Sequence, residues 1–352
     1  MATSLPVTTS FDPDAAALDD AGIFGLPIDP VSAAVHVVPV PFDATTSYRK
    51  GTARGPAAVL RASLQVDLFD VMTGKPWQQG ICMLDADPRI AKWNDKATRK
   101  ADKIIALGGR IGTNKQLQKD LEHVNQIGAD LNELVFGHVS TILDARKLPV
   151  LLGGDHSTPF GAIHACSERF PGLGVLHFDA HADLREAYEG FEWSHASIMN
   201  NVVTRLPKVS KLVQVGIRDL GEREHAMIAS SKSRIHTLLD VEWGRARADG
   251  TNLRELVRRT IAQLPDHVYV SFDVDGLDPT LCPNTGTPVP GGLIWHDAML
   301  WLEELGRSKK RVVGLDLNEV SPGAHDGEDD SWDAIVGARL LYRLIGTALL
   351  TR

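Results

Sequence analysis

Residues Asp179-Ala180-His181-Ala182-Asp183 follow an apolar run that ends at Phe178, and Asp273-Val274-Asp275 follow another that ends at Phe272. Side chains two apart on a strand share one face. Asp179, His181 and Asp183 are therefore expected to point together, as are Asp273 and Asp275. Carboxylates and an imidazole crowded at strand ends repel one another and desolvate badly without a counter-charge. Divalent metal is the simplest counter-charge, and the four Asp charges match two M²⁺ ions. A third segment, Leu152-Gly153-Gly154-Asp155-His156-Ser157, adds His156 just past a buried strand. Its glycines let the backbone turn tightly and set the next side chains at the carboxyl edge of the sheet, where open parallel sheets bind ligands.

Each segment alone reads equally well as a cap or a turn, where Asp is common, and a lone His is more often structural. Six such side chains meeting on one edge are hard to account for that way. Carboxylate plus imidazole, without thiolate, suits manganese, iron, cobalt or nickel better than structural zinc. Two such ions lower the pKa of the water they bind and supply a nucleophile near neutral pH.

Positioning these groups requires strands that end at one edge. Val35–Val40, Pro149–Leu152, Gly174–Phe178, Lys211–Ile217, His267–Phe272 and Arg311–Leu315 read as strands. Helical spacing covers Arg54–Phe69, with Pro56 near its start, and Asp120–Leu143. It also covers Asp219–Ser230, Leu253–Gln263, Trp295–Leu305 and Ser331–Leu350. Strands alternating with helices predict an α/β fold around a mainly parallel sheet. Residues 1–30 show little periodicity and read as an extension lying over the core or making a subunit contact.

Bulk composition narrows the function. The hydrophobic content of 43% is ordinary for a chain with a sizeable core. No apolar run reaches the length of a membrane span. The first residues, Met1–Ala17, lack a basic region followed by an apolar core, so a cytoplasmic protein is expected. The formal charge is −8, and two divalent ions would neutralise four of those charges. Nine Lys or Arg lie between Arg89 and Lys119 against Asp95 and Asp102, with Trp93 as the sole aromatic. That stretch reads as a solvated helix or a subunit contact and gives no nucleic-acid surface. Cys82, Cys166 and Cys282 are widely spaced and form no CxxC pair. This speaks against a disulfide framework or a thiolate zinc site.

Gly153–Ser157, Asp179–Asp183 and Ser271–Pro279 resemble the three signatures of the ureohydrolases, the arginase and agmatinase family. The resemblance runs from about Val35 to the C-terminus. It takes in Thr46–Thr52, Gly55-Pro56 and Gly314–Pro322. It implies an arginase-like three-layer α/β/α sandwich, with residues 31–352 as a single catalytic domain. It also implies two divalent ions per chain, Mn²⁺ by family habit with Ni²⁺ as the alternative. His156, Asp179, Asp183 and Asp273 would hold one ion. Asp179, His181, Asp273 and Asp275 would hold the other, so Asp179 and Asp273 would bridge.

The same resemblance makes His195, Glu319 and Asp183 the catalytic candidates. His195 matches the histidine that protonates the leaving amine, a role suited to an imidazole with a near-neutral pKa. Glu319 matches the carboxylate that pairs with a guanidinium, for which its planar geometry is apt. The implied reaction cleaves a guanidino C–N bond and releases urea with an amine or ammonia. The implied assembly is a trimer or hexamer, with a paralogous subunit as a further partner.

Asp183–His195 resembles the agmatinase version of its loop, without the Asn and Ser pattern by which arginases hold the amino-acid end of arginine. Arg185, Glu186, Tyr188 and Trp193 are candidates to border the pocket. Cys282–Pro288 and Ala196–Met199 resemble a subgroup that includes hydrolases of free guanidine and of substituted guanidines or biguanides. Agmatine, guanidine and substituted guanidines are thus the candidate substrates, and Phe191, Trp193 and Met199 are bulky enough to fill the pocket for a small one. The alternative is a non-catalytic or regulatory subunit of a ureohydrolase hetero-oligomer. The full ligand set weighs against it, because such carboxylates are costly without metal. A deacylase on a related fold would use one metal and a different ligand order.

Overall fold

The computed structural model describes residues 11–27, 29–323 and 331–352. Eight strands among them form one parallel sheet: β1 (Val35–Val40), β2 (Ile81–Met83), β3 (Leu148–Gly153), β4 (Leu173–Phe178), β5 (Val209–Ile217), β6 (Ile235–Leu239), β7 (His267–Asp273) and β8 (Arg311–Asn318). The order across the sheet is β2-β1-β3-β8-β7-β4-β5-β6. The central strands are apolar almost throughout because helices cover both faces. Alternate residues serve alternate cores. Leu176 and Phe178 of β4 join one cluster, while Leu173 and Val175 join the other.

The helices are α1 (Gly55–Ser63), α2 (Pro88–Ile105), α3 (Lys115–Asp144), α4 (Phe160–Arg169), α5 (Ile198–Arg205), α6 (Glu222–Ser230), α7 (Asp240–Ala248), α8 (Leu253–Ile261), α9 (Trp295–Arg307) and α10 (Trp332–Leu350). Val59, Ile261, Leu302 and Leu341 place α1, α8, α9 and α10 on one face. Ile104, Leu131, Ile163 and Val202 place α2 to α5 on the other, which completes the three layers. Helix α3 starts where the Asn114 side chain accepts the Gln116 and Leu117 amides, satisfying donors that the first turn leaves free. Its buried stripe of Val124, Ile127, Leu131 and Val135 has helical spacing.

Two expectations are modified. The basic stretch is not a fully solvated helix: α2 buries Ile90, Ala97, Ala101 and Ile104, and its Lys100 pairs with the buried Asp120 of α3. The helix expected over Arg54–Phe69 stops at Ser63. There the Ser63 hydroxyl donates to the Leu60 carbonyl at 2.6 Å and accepts the Phe24 amide at 2.8 Å. Beyond Ser63 the chain tightens into turns, with the Leu64, Gln65 and Val66 amides on the Arg61, Ala62 and Ser63 carbonyls. The described part of the extension lies over the core: Ile23, Phe24 and Leu26 are buried, and the Phe24 ring sits 4.8 Å from that of Tyr342. Residues 1–10 and 28 of the extension lie outside the described residues. Among the described residues, no helix is long and apolar enough to cross a membrane.

Candidate metal centre and active site

The four central strands β3, β8, β7 and β4 end side by side, and each delivers part of the site. After β3 the chain turns under the β1 exit. The Gly154 amide donates to the Val40 carbonyl and the Asp155 amide to the Phe42 carbonyl, both at 2.8 Å. A Cβ on Gly154 would stand 2.0 Å from the Phe42 carbonyl oxygen, so only glycine admits this approach. The turn sends His156 into the interior, wholly buried.

The two acidic segments do not continue as strands, contrary to the expectation from alternation. Strand β4 ends at Phe178, and the Asp179 side chain accepts the His181 amide at 2.6 Å. The Asp273 side chain accepts the Asp275 amide at 2.7 Å and opens the short turn Val274–Gly276. Both are side-chain-closed turns of the kind aspartate favours. Asp183 follows with φ +53°, in the sparsely populated left-handed region.

These turns bring the six expected ligands together around two imidazoles. His156 Nδ1 faces Asp179 Oδ2 at 2.9 Å, Asp273 Oδ2 at 3.3 Å and Asp183 Oδ2 at 3.5 Å. His181 Nδ1 faces Asp275 Oδ2 at 3.0 Å and Asp179 Oδ1 at 3.4 Å. Asp179 is therefore shared, with one oxygen on each side. Asp273 comes within ion-pair distance of His156, through Oδ2, and its Oδ1 takes the Asp275 amide.

The donor set fits divalent metal. His156 Nε2 lies 2.9 Å from the Ser271 hydroxyl, which gives its single proton to Asp316 at 3.0 Å. Nε2 must then carry a proton, and Nδ1 is turned toward three carboxylates. Burial opposes a charge on His156, yet Asp179 and Asp273 raise its pKa well above the usual value. Such a convergence of carboxylates demands a cation. The titration pattern agrees. Burial opposes a charge on His181, yet Asp275 and Asp179 push its pKa up to about 12. Burial raises Asp183, as does the neighbouring Asp179, and burial with Asp275 raises Asp273. Nitrogen and oxygen donors of this kind suit hard to borderline divalent ions.

A cavity of about 280 Å³ opens beside this cluster, lined by residues including Ser47, His181, Asp183, Tyr188, His195 and Thr287. His195 begins a short helical turn, His195–Ser197, and is 8% exposed. Its Nε2 lies 3.4 Å from the Ser47 hydroxyl, and its Nδ1 has no partner. The expected near-neutral pKa is not found: burial, reinforced by His181, pushes it down to about 3. His195 is therefore neutral at physiological pH.

Glu319 follows β8 with φ +65° and is 2% exposed. One carboxylate oxygen accepts the His156 amide at 2.9 Å; the other has no partner. Burial, then Asp273 and Asp155, raise its pKa well above the usual range. The cavity lining does not include Glu319, which lies behind Gly286; a Cβ there would stand 3.1 Å from its free oxygen.

Of the expected rim residues, Arg185 and Tyr188 line the cavity, whereas Glu186 and Trp193 do not. Phe191 and Met199 are core residues, and Trp193 packs on Phe160 with ring centroids 4.9 Å apart, so these three do not fill the pocket. His177 is a site neighbour that the sequence pattern did not single out. It lies within 4.8 Å of the His156, Asp179 and Asp183 donors, but both of its ring nitrogens have other protein partners. Extending the two-residue alternation back from Asp179 would have found it.

Comparison with known proteins gives the family and the fold. Residues 33–346 match the Arginase family. An N(1)-aminopropylagmatine ureohydrolase of Thermus thermophilus is 33% identical over 315 residues, covering 89% of this chain and 90% of its own. An agmatinase of Pyrococcus horikoshii is 30% identical over 313 residues, covering 88% and 90%. The solved structure of proclavaminate amidino hydrolase from Streptomyces clavuligerus superposes with a TM-score of 0.70 at 24% identity, over 96% of this chain and 100% of that one, and supports the fold. Fold, buried His/Asp cluster and relatives coincide: the chain belongs to the Arginase family, within its agmatinase-like ureohydrolases, which hydrolyse C–N bonds.

Proposed function

We propose that this chain releases urea from a small guanidino compound, agmatine or a smaller guanidine. The observation that carries the reading is the meeting of the His156 and His181 donor sets at a cavity whose wall contains His195. A cavity of about 280 Å³ lies at the lower end of the range for small-molecule sites, which favours a compact substrate. His156, Asp179, Asp183 and Asp273 would hold one ion, and Asp179, His181 and Asp275 the other, with Asp273 reaching the second on small movement. Mn²⁺ is the first choice and Ni²⁺ the second. Ions bound here lower the pKa of coordinated water and supply the hydrolytic nucleophile.

The protein groups do the rest. Neutral His195, on the cavity wall, would accept a proton and deliver it to the departing nitrogen. The unpartnered oxygen of Glu319 would pair with an N–H of the guanidinium once the Gly286 segment, which now separates it from the cavity, moves aside. Asp183 would help hold an ion and accept a hydrogen bond from the water that ion activates. A urea-release screen tests the reading, using agmatine, guanidinobutyrate, arginine, guanidine and dimethylbiguanide with Mn²⁺ and with Ni²⁺. Release from agmatine or guanidine is expected. No urea from any of the five sinks it.

A further inference from the structure

A row of polar side chains crosses five neighbouring strands at one level, directly beneath the site. Strand register aligns Thr237 of β6 with Gln214 of β5, and Gln214 with His177 of β4. The same level continues through Ser271 of β7 to Asp316 of β8. His177, Gln214, Ser271 and Asp316 are fully buried in a sheet whose interior is mostly apolar. Buried polar groups are costly unless each is satisfied, so the pattern of donors along the row is constrained.

The donors can be assigned. The Gln214 nitrogen lies 2.8 Å from the Ala182 carbonyl, and only an N–H can face a carbonyl. The Gln214 oxygen accepts the Thr237 hydroxyl at 3.0 Å, which is consistent with that orientation. The second amide hydrogen therefore points at His177 Nδ1, 3.0 Å away. His177 Nδ1 must accept, so its proton sits on Nε2 and is donated to Asp179 Oδ2 at 2.9 Å. At the other end of the row, Ser271 fixes a proton on His156 Nε2 and so orients Nδ1 toward the carboxylates.

We infer that this row is a positioning device for the metal centre, in which Gln214 locks His177 as an Nε2–H donor that aims Asp179. The inference rests on the metal-ligand assignment proposed above. His177 is a positioning residue rather than a ligand. By engaging Oδ2, it fixes the rotation of the one carboxylate shared by both donor sets. Outer partners of this type govern ligand orientation and metal affinity.

The test is ion binding by the full chain without substrate, using Mn²⁺ titration and ion counting, alongside ¹⁵N NMR of the histidine rings. His177→Phe keeps the ring volume and removes the donor. Mn²⁺ affinity is expected to fall about 10- to 100-fold, most for the ion held with His156. His177→Gln, which restores an N–H toward Asp179, recovers most of that loss. Gln214→Leu weakens binding in the same direction and releases the His177 tautomer. In the wild-type chain, His177 Nδ1 is expected to be unprotonated. Wild-type affinity in both His177→Phe and Gln214→Leu, or a protonated Nδ1 in the wild type, overturns the inference. If His177→Phe does not fold, the Gln214 variant and the tautomer decide. Absence of urea release with intact ion binding would remove the proposed reaction and leave this inference standing.

Discussion

Glu319 and His156 are joined through the backbone: a Glu319 carboxylate oxygen accepts the His156 amide at 2.9 Å. In return, the Glu319 amide donates to the Gly154 carbonyl at 2.8 Å. The acid proposed to meet the substrate is thus anchored to the loop that carries a proposed metal ligand. Glu319 holds a left-handed backbone conformation at that anchor, a strain that the surrounding contacts must offset.

Glu319→Gln separates these roles. Its amide oxygen can still accept from His156, so fold and ion content should survive. The charge that pairs with a guanidinium is lost, and turnover should fall by about 100-fold or more. Urea release, ion counting and thermal melting on the same preparation check this. Wild-type turnover would remove Glu319 from the mechanism.

His195→Ala should keep both ions and lose most turnover, on the order of 10²- to 10⁴-fold. Its ring bonds to no proposed ligand, and its polar neighbour is the Ser47 hydroxyl. Ion counting and urea assays decide it. Full activity would show that the proton reaches the leaving group by another route.

Chelation should lower the melting temperature, because it leaves buried carboxylates without their counter-charge. Ion at 100 times its Kd stabilises by about 2.7 kcal/mol, which corresponds to roughly 4 °C for a chain of this size. A melt with and without EDTA, followed by Mn²⁺ add-back, measures it. An unchanged melt after verified removal would contradict a buried binuclear site.

Far from the site, Glu304 of α9 is buried and bonded by Arg254 and Arg258 of α8. Burial raises its pKa, but the two arginines outweigh that and hold it below the usual range. A lowered carboxylate pKa favours the fold above the unfolded value of about 4.3, and that contribution is lost as pH falls through the folded value. Glu304→Gln should therefore cost roughly 1–2 kcal/mol at pH 7. The gap to wild type should narrow toward about pH 3, as the pH falls below the unfolded value. Urea melts at both pH values test the sign; a gap that widens in acid would contradict it.

The residue types of the site were legible in the sequence, and so was the parallel sheet, because apolar strands that end in clustered acids need a cation to be stable. The backbone that gathers them was not. Alternation placed Asp179, His181 and Asp183 on one strand face, whereas a side-chain-closed turn after Phe178 brings them together. Local pattern also could not show that the helix stops at Ser63, whose hydroxyl accepts an amide 39 residues earlier. The short strand β2 and strand β6 escaped notice because three to five residues leave little periodicity to read. Phe191 and Met199 read as pocket fillers because size alone does not tell a wall from the core behind it.

Strand order has a consequence for synthesis. Strand β8 is the last in the chain, yet it lies between β3 and β7. A nascent chain that has emerged only as far as α9 holds all six proposed ligands but lacks the strand that joins the two halves of its sheet. The carboxylates and His181 end or follow β4 and β7, which pair directly, but His156 follows β3 and cannot join them until Arg311–Asn318 threads into the middle. Completion of the His156 donor set is thereby tied to near-completion of translation, and chains cut short before β8 are left with the β3 and β7 edges open for quality control to recognise.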